Sequence, residues 1–461
     1  MNRLPLFALA LAFAATGCTT TSGMMDDDAS DGMRGEMDVT AACVNGQATL
    51  PNDDPETLGD GPFDCSNVDL VGHVPLADFD AERLNDIWGW EDPETGKEYA
   101  LVGLDNGTEF VDISNPTMPV LLGKLPTATS ATVWRDIKVY ENHAFIVSEA
   151  RDHGMQVFDL TRLRGLTTDQ GEFDADAMYN GVTNVHNLVI NEDSGYAYNV
   201  GSGSQGDDLP AECGAPGFHV VNIQDPKNPT FVTCFSDAGK DTAPVSAPGY
   251  THDAQCIMYD GPDTDYTGRE ICAASNEDVV TFFDVTDKQN VRIISMAAYP
   301  GDAYNHQGWF TDDRTGFLSN DELDESGGTS TVNAAGEPTQ RTLMFNVENL
   351  DEPEYIGAYN SDITSIDHNL YIIGKLNYQS NYESGLRIRD HSRMMEGVMT
   401  EAGYFDTYPQ ATTVNFSGQW SNYPYFNSGL VVASDGNNGL FILNPTMERG
   451  PAETPSPMRS R

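Results

Sequence analysis

The sequence predicts an all-β fold, a seven-bladed β-propeller with four-stranded blades. A weak unit recurs along the chain at a spacing of roughly 40–55 residues, which is typical of propeller blades. No helical period of useful length competes with the β pattern. Two packed β-sandwiches would also explain many short strands, and they are the main alternative fold.

The clearest part of each unit is a β-rich strand followed by Asp or Asn and, in most copies, a Pro-containing turn. Asp, Asn and Pro suit turns, and β-branched or aromatic residues suit strands. The copies are residues 110–116, 221–226, 283–287 and 345–347, with variants at 158–161 and 441–445.

A second landmark, a polar pair before an apolar strand, opens each unit. The openings are residues 85–87, 135–137, 186–188, 252–254, 306–308, 368–370 and 418–420. Seven openings indicate seven blades. The last unit stops after its third strand near Pro445, and residues 67–74 resemble an outer strand without a blade. We expect this N-terminal strand to join the last blade and close the ring, which removes an exposed sheet edge.

The N-terminus has the plan of a secretory signal: basic Arg3, an apolar run over 4–15, and small residues before Cys18. It resembles a bacterial lipobox with Ala15 at position −3, so Cys18 is the expected lipidation site. Thr19 suggests the outer membrane by resemblance to Gram-negative lipoproteins. An ordinary signal with an incidental Cys18 is the alternative. We therefore expect an exported protein, attached to the bacterial envelope or cell surface through its lipid alone.

The domain organisation follows from these features. We expect a signal peptide (1–17), a lipidated Cys18 with a disordered acidic tether (18–42), a disulfide-linked extension (43–66), the propeller (67–445) and a disordered tail (446–461). The formal net charge of −47 opposes binding to nucleic acid.

Seven cysteines are present, and setting Cys18 aside leaves an even number, which favours disulfides in an exported protein. Sequence does not fix the pairing of six cysteines. The simplest pairing joins neighbours in order: Cys43–Cys65, Cys213–Cys234 and Cys256–Cys272.

In a propeller, the starts of the first strands and the ends of the second strands lie on one face. The residues expected to form a ligand-binding face there are Asp86, Arg135, Asp136, Asn187, Asp253, Gln307, Asn369 and Asn381. The second-strand ends add Asp105, Glu149, Asn276, Glu277, residues 320–322 and Asp435.

Four of the nine histidines, His186, His252, His306 and His368, share one register position in four consecutive blades. Neutral imidazole suits Zn, Cu or Fe, so these four are candidate metal ligands. Two other interpretations stay open: each His caps its blade through a neighbouring blade, or Arg135 serves an anionic-ligand pocket. Residues 260–265 offer carboxylates to calcium, although an acidic turn is the favoured interpretation. Trp88, Trp90, Trp134, Trp309 and Trp420 lie at or beside the openings, where they pack between blades or contact a glycan.

Several strings resemble the choice-of-anchor B family of bacterial surface proteins with LVIVD-type repeats. They are residues 88–90, 100–104, 134–140, 251–256, 306–309, 379–382 and 439–441, and the resemblance runs from about Val68 to Pro445. The resemblance implies a surface-attached propeller and brings no established activity.

Common hydrolase and nucleotide motifs such as G-x-S-x-G, H-E-x-x-H and the P-loop are absent from the sequence. The leading interpretation is a module that binds a small molecule, glycan or protein on its His-rich face. A metal-dependent hydrolase or oxidoreductase is the alternative, with Glu149 or Glu277 as base and Arg135 as a further catalytic candidate. A structural envelope protein is the third possibility.

Overall fold

The computed structural model describes residues 40–49, 62–202, 213–237 and 249–450. Within these ranges the chain is nearly all β, with seven blades of four antiparallel strands arranged as a propeller. The predicted fold class is confirmed. None of the helices in these ranges is long and apolar enough to cross a bilayer. The predicted signal peptide, Cys18, the tether up to residue 39 and the tail beyond residue 450 lie outside the described residues, so those assignments stay predictions.

Three strands precede the first blade: β1 (Gln47–Ala48), β2 (Phe63–Ser66) and β3 (Val68–Val74). Blade 1 contains β4 (Leu84–Glu91), β5 (Glu98–Leu104), β6 (Gly107–Asp112) and β7 (Val120–Pro126). Blade 2 contains β8 (Arg135–Tyr140), β9 (His143–Ser148), β10 (Met155–Asp159) and β11 (Ala177–Tyr179). Blade 3 contains β12 (Asn187–Asn191), β13 (Tyr196–Val200), β14 (Phe218–Asn222) and β15 (Thr230–Phe235). Blade 4 contains β16 (Asp253–Met258), β17 (Glu270–Ser275), β18 (Val279–Asp284) and β19 (Arg292–Ala298).

Blade 5 contains β20 (Asn305–Phe310), β21 (Gly316–Asp321), β24 (Arg341–Asn346) and β25 (Glu354–Asn360). The segment between β21 and β24 contains the short helix α1 (Asp324–Gly327). It also contains a hairpin of β22 (Thr331–Val332) and β23 (Pro338–Thr339). Blade 6 contains β26 (Leu370–Ile373), β27 (Leu376–Ser380), β28 (Leu386–Arg393) and β29 (Val398–Phe405). Blade 7 contains β30 (Gln419–Tyr423), β31 (Val431–Asp435) and β32 (Gly439–Pro445) with β3. Single 3-10 turns lie at Leu76–Phe79, Leu160–Leu163 and Met394–Glu396.

The repeated Asp or Asn at the end of the third strand builds a side-chain turn. Asp112 Oδ1 accepts from the N–H of Ser114 at 2.9 Å, and Asn222 Oδ1 accepts from that of Gln224 at 2.9 Å. The equivalent bonds in blades 2, 4 and 5 run to Asp159, Asp284 and Asn346. Such turns suit Asx residues because the carboxylate or amide replaces a backbone acceptor. The recurring motif in the sequence is therefore a turn that starts the fourth strand.

The N-terminal strand closes the ring. Antiparallel pairing of β3 with β32 runs from Val68 opposite Pro445 to Val74 opposite Leu440. Leu70 is fully buried in this pairing and faces Leu443 across the strands. Because β32 would otherwise be an open edge, this pairing completes blade 7 as the sequence predicts.

The N-terminal extension docks on blade 6, which the sequence did not predict. β2 pairs with the outer strand β29, and β1 pairs with β2, so that this sheet has six strands. Phe63 stacks on Phe405 with ring centroids 5.4 Å apart. Thr40 and Ala41, at the end of the predicted tether, hydrogen-bond to β3 instead of standing free. Apolar side chains in the extension cover the outer edge of blade 6, which explains the docking.

Disulfides are present, as the even number of cysteines beyond Cys18 predicts. The structure joins Cys43 to Cys65, Cys213 to Cys234, and Cys256 to Cys272. The first fixes the extension to itself, and the third links directly opposite residues of β16 and β17.

A buried carboxyl in blade 1 makes the stability depend on pH. Glu109 is 5% exposed and accepts one hydrogen bond, from the N–H of Gly123 at 2.9 Å. Burial raises the pKa of Glu109 from 4.5 to about 7. Between these two pH values the folded chain keeps a proton on Glu109 that the unfolded chain has released. The contribution of Glu109 to stability is therefore greatest at low pH and is lost as the pH rises through about 7.

We predict that Glu109→Gln flattens this dependence. The wild-type protein should lose on the order of 2–3 kcal/mol from this group between pH 5 and pH 8, and the variant should not, because an amide does not titrate. Urea unfolding at the two pH values measures the difference. Glu348→Gln, at an exposed position, should leave the wild-type dependence in place. Equal pH slopes for Glu109→Gln and the wild type would contradict the prediction.

Candidate functional site

The first strands of the seven blades line the central axis. Each contacts the first strand of the next blade, and β30 contacts β4 to complete the circle. His186 and His252 immediately precede β12 and β16, His306 is the second residue of β20, and His368 lies two residues before β26. The shared register seen in the sequence thus places four imidazoles at one end of the channel.

These four side chains form a continuous arc, which we call the histidine arc. The ring centroids of His186 and His252 are 4.5 Å apart, those of His252 and His306 are 4.1 Å apart, and those of His306 and His368 are 4.4 Å apart. His252, His306 and His368 are buried, and His186 is half-buried. The structure therefore brings together all four predicted metal ligands.

Backbone hydrogen bonds fix the tautomers of two members of the arc. His252 Nδ1 lies 2.8 Å from the carbonyl oxygen of His306, and His368 Nδ1 lies 2.6 Å from that of Trp420. A carbonyl oxygen only accepts, so each Nδ1 carries the proton and each Nε2 keeps its lone pair. Each contact also ties a blade to the next one, which is the capping role considered from the sequence.

Burial keeps three of the imidazoles neutral. It lowers the pKa of His368 to about 3 and those of His252 and His306 well below the usual value. Neutral imidazole is the form that binds a metal ion.

Glu322 faces two of these imidazoles. Its carboxylate oxygens lie 3.5 Å from His368 Nε2 and 3.7 Å from His306 Nε2, and the Tyr382 hydroxyl donates to Glu322 Oε1 at 2.7 Å. One ligand atom from each of His306, Glu322 and His368 lies within 4.8 Å of the other two. Bonds of about 2.0–2.2 Å to a tetrahedral zinc ion place ligand atoms about 3.3–3.6 Å apart, close to the 3.5 and 3.7 Å that separate the Glu322 oxygens from the two imidazoles. These three residues, with His252 beside them, have the geometry of a metal site.

His186 differs from the rest of the arc in charge. Its Nδ1 lies 2.6 Å from Glu149 Oε1. Burial opposes the imidazolium, but Glu149 outweighs it and raises the pKa of His186. Glu149, a candidate base in the sequence, is therefore paired with a cation. The other candidate base, Glu277, is fully buried. Burial, Glu149 and Glu277 together raise the pKa of Tyr250.

A cavity opens beside the arc on the same face. Its walls are Asp86, Trp134, Arg135, His186, Asn187, His306, His368, Asn369 and Trp420. Seven residues predicted from sequence for the ligand-binding face or the metal site meet here with two of the predicted tryptophans. Trp134 is 40% exposed, so it lies at the open side of the cavity.

Arg135 is 2% exposed in this wall. Its Nε donates to the carbonyl oxygen of Leu104 at 3.1 Å, and its Nη1 lies 3.2 Å from His153 Nε2. Burial lowers the pKa of Arg135 to about 10, which leaves the guanidinium charged at neutral pH.

Three predicted carboxylates surround a lysine next to the arc. Lys138 Nζ lies 2.5 Å from Asp136 Oδ1 and 3.7 Å from Asp86 Oδ2, and it lies 4.5 Å from the ring centre of Trp88. Burial raises the pKa of Asp253 to about 7 and that of Asp86 well above its usual range. Asp136 and Lys138 therefore form the charged pair, and Asp136 also accepts the N–H of Leu188. These carboxyls and Lys138 form a largely buried polar group next to the arc, and Asp86 also lines the cavity.

The predicted amides tie neighbouring blades together. Asn187 donates to the carbonyl oxygen of His252, Gln307 accepts the N–H of Leu370, and Asn369 donates to Ser421. Asn381 lies apart from the cavity lining and donates to Gln340 at 3.0 Å.

The acidic insert over residues 260–265, the candidate calcium site, has protein partners for its carboxylates. In the acidic insert, Asp263 accepts the N–H groups of Asp265 and Leu350, and Asp260 pairs with Arg314. This arrangement is an acidic turn.

Sequence reasoning placed Glu322 on this face without pairing it with the histidines, and it assigned no role to Tyr382, Lys138 or His153. Glu322 was visible at a second-strand end, which is the signal that could have paired it with the histidines. The others could not be found because they follow no repeat position.

Comparison with known proteins adds a repeat match within blade 1. The LVIVD repeat model matches residues 96–127, which contain β5, β6 and β7. This match fits a propeller-type family. No curated protein matches the chain significantly. Among solved structures, the chain is similar to the β-propeller domain of Myceliophteria thermophila Cps50 (Swd1), with 9% identity and a TM-score of 0.49 over 79% of this chain and 98% of that one.

We predict that Lys138→Met destabilises the protein at pH 7.5 by about 3 kcal/mol, because it leaves the buried Asp136 carboxylate without its cation. Chemical denaturation measures the loss. Lys97→Met is the control: Lys97 is 38% exposed and pairs with Asp112 at 2.7 Å, and such a pair contributes about 0–1 kcal/mol. Equal effects of the two substitutions would contradict the role given to Lys138.

Proposed function

We propose that this chain is an exported binding protein of the choice-of-anchor B type, and that its axial face binds a transition-metal ion. One observation carries the proposal: the ligand atoms of His306, Glu322 and His368 converge within 4.8 Å of one another. The ion would in turn bind a ligand from the cavity, which two of these three residues line.

The surroundings of the three residues support this assignment. The His368 imidazole is oriented by the Trp420 carbonyl, and Glu322 is held by Tyr382. Ligands of metal sites are typically fixed by such outer hydrogen bonds. A set of imidazoles with one carboxylate suits Zn, Cu or Fe, whereas calcium prefers oxygen ligands alone.

Binding is favoured over catalysis by the state of the candidate bases. Glu149 is paired with His186 at 2.6 Å, and Glu277 is fully buried. A general base must reach the proton that it removes, either directly or through one water molecule.

We predict that the purified protein contains about one Zn, Cu or Fe ion per chain, and that His306→Ala and His368→Ala remove it because each deletes a ligand. Elemental analysis by mass spectrometry measures the content. Tyr382→Phe, which keeps the ligands and removes one outer hydrogen bond, should weaken metal affinity by about tenfold.

The matched control is His143→Ala. His143 begins β9 at the opposite face, where its Nδ1 bonds to the carbonyl of Glu141. This variant should keep its metal. Protein that stays metal-free after incubation with each of the three ions would refute the proposal, and so would equal metal content in His306→Ala and the wild type.

The location of the protein is proposed from its sequence. The lipobox-like residues 15–18 support lipid attachment at Cys18, followed by export to the outer membrane or cell surface. No role for nucleic acid is proposed because the net charge is −47.

We predict that Cys18→Ala releases the protein from the membrane fraction of the bacterial host, since the apolar run over 4–15 is too short to span a bilayer. Fractionation followed by immunoblotting, with mass spectrometry of the N-terminal peptide, measures the change. Thr19→Ala is the control and should stay membrane-bound. Membrane association of Cys18→Ala equal to that of the wild type would contradict lipidation.

A further inference from the structure

We propose that the axial cavity binds a small organic carboxylate, and that Arg135 is the residue that recognises it. The inference rests on the proposed function in that both use the same cavity. It adds the chemical class of the ligand and the residue that selects it.

The guanidinium of Arg135 lacks a counter-ion. Among the described residues, no carboxylate lies within 4.0 Å of it, and its Nη2 has no hydrogen-bond partner. Asp105 is the acid that acts on it electrostatically, and the oxygen Oδ1 of Asp105 accepts from the N–H groups of Glu82 and Arg83 instead. A buried charge without a partner costs folding free energy, so its retention points to a function.

Protein atoms already occupy two of the five N–H donors of Arg135, one on Nε and one on Nη1. Nε is bonded to the carbonyl of Leu104 and Nη1 to His153. Burial, followed by the neighbouring Arg135, lowers the pKa of His153 to about 4, so His153 accepts this bond as a neutral ring. Both contacts hold the guanidinium plane in place and leave Nη2 for a ligand.

The other walls of the cavity do not neutralise Arg135. Burial raises the pKa of Asp86 well above its usual range and so favours its neutral form. Glu149 is already paired with His186. The local field around Arg135 therefore favours an anion even though the whole chain carries a charge of −47.

The remaining walls favour an organic anion over an inorganic one. Trp134 and Trp420 line the cavity, and 40% of Trp134 is exposed. Indole rings contact apolar groups, while a guanidinium binds a carboxylate through charge-assisted hydrogen bonds. A small carboxylate with an apolar body satisfies both.

The experiment compares benzoate with its neutral analogue benzamide by calorimetry and by thermal shift. We expect benzoate, and not benzamide, to bind the wild-type protein and to raise its melting temperature. Arg135→Met should weaken benzoate binding by at least about tenfold, since a charge-assisted hydrogen bond is lost. Arg135→Lys keeps the charge and should retain part of the affinity.

A second readout separates recognition from a structural role. If Arg135 is kept for a ligand, Arg135→Met should raise the melting temperature of the ligand-free protein, because a buried unpaired charge is removed. A lower melting temperature together with unchanged benzoate affinity would assign Arg135 to the fold and overturn the inference. Binding of inorganic phosphate with loss of benzoate discrimination would also overturn it.

These experiments test the metal-binding proposal and the carboxylate-binding proposal separately. Elemental analysis of the same wild-type samples reports the metal, and His306→Ala with benzoate reports carboxylate binding without it. Protein that contains the metal but does not bind benzoate would refute the carboxylate proposal alone. Metal-free protein that binds benzoate through Arg135 refutes the metal alone and supports the carboxylate.

Discussion

The pairing of β3 with β32 is the interaction on which the axial site depends. Every other blade is built from one continuous stretch of chain, whereas blade 7 takes its outer strand from the N-terminus. Closure makes β30 and β4 neighbours and completes the circle of first strands. Because the histidine arc consists of residues at the starts of those strands, its spacing of 4.1–4.5 Å between ring centres is set by the radius of the closed ring. The extension that docks on blade 6 also holds β3 through Thr40 and Ala41.

The sequence leaves two explanations for the four histidines: each caps its blade, or together they bind a metal ion. In the structure these two roles use different nitrogen atoms of the same imidazole ring. In His252 and His368, Nδ1 donates to the backbone of the next blade, and Nε2 keeps a lone pair. A structural hydrogen bond of this kind selects the tautomer that a metal ion needs. The repeat therefore explains why the residue type recurs, and the local contact explains how it is prepared for a ligand. The bond from His186 to Glu149 raises the pKa of His186 against the effect of burial and so favours a charged ring. Identical register positions therefore acquire different chemistry.

Much of the fold was predictable because its signals are local. The Asx turns that end the third strands follow from one residue and its neighbour two positions on, as in Asp112 with Ser114. The position of β3 was predictable because the last repeat unit, at the other end of the chain, lacks its fourth strand. Only half of the site was predictable. The shared register position predicted the four histidines. Side-chain directions within the channel decide that Lys138 lies between Asp86 and Asp136 and that His153 lies beside Arg135, and the sequence does not reveal these directions. Docking of residues 63–66 on blade 6 has no repeat signal either, since it depends on which outer edge offers an apolar surface.

The axial channel separates its charges into two groups with different consequences. Lys138 has acids around it and needs no ligand. Arg135, in the wall of the cavity beside the arc, has neutral His153 and carbonyl partners and retains its full charge. Arg135 is buried and Lys138 has 14% of its side chain exposed. Both lie in a chain with an excess of carboxylates, so the difference does not reflect a shortage of acids. It reflects placement: an acid beside Arg135 would neutralise it and would repel an incoming anion. The stability that the fold gives up by burying an unpaired guanidinium is the quantity that a bound carboxylate would restore, which couples occupancy of the cavity to the stability of the ring.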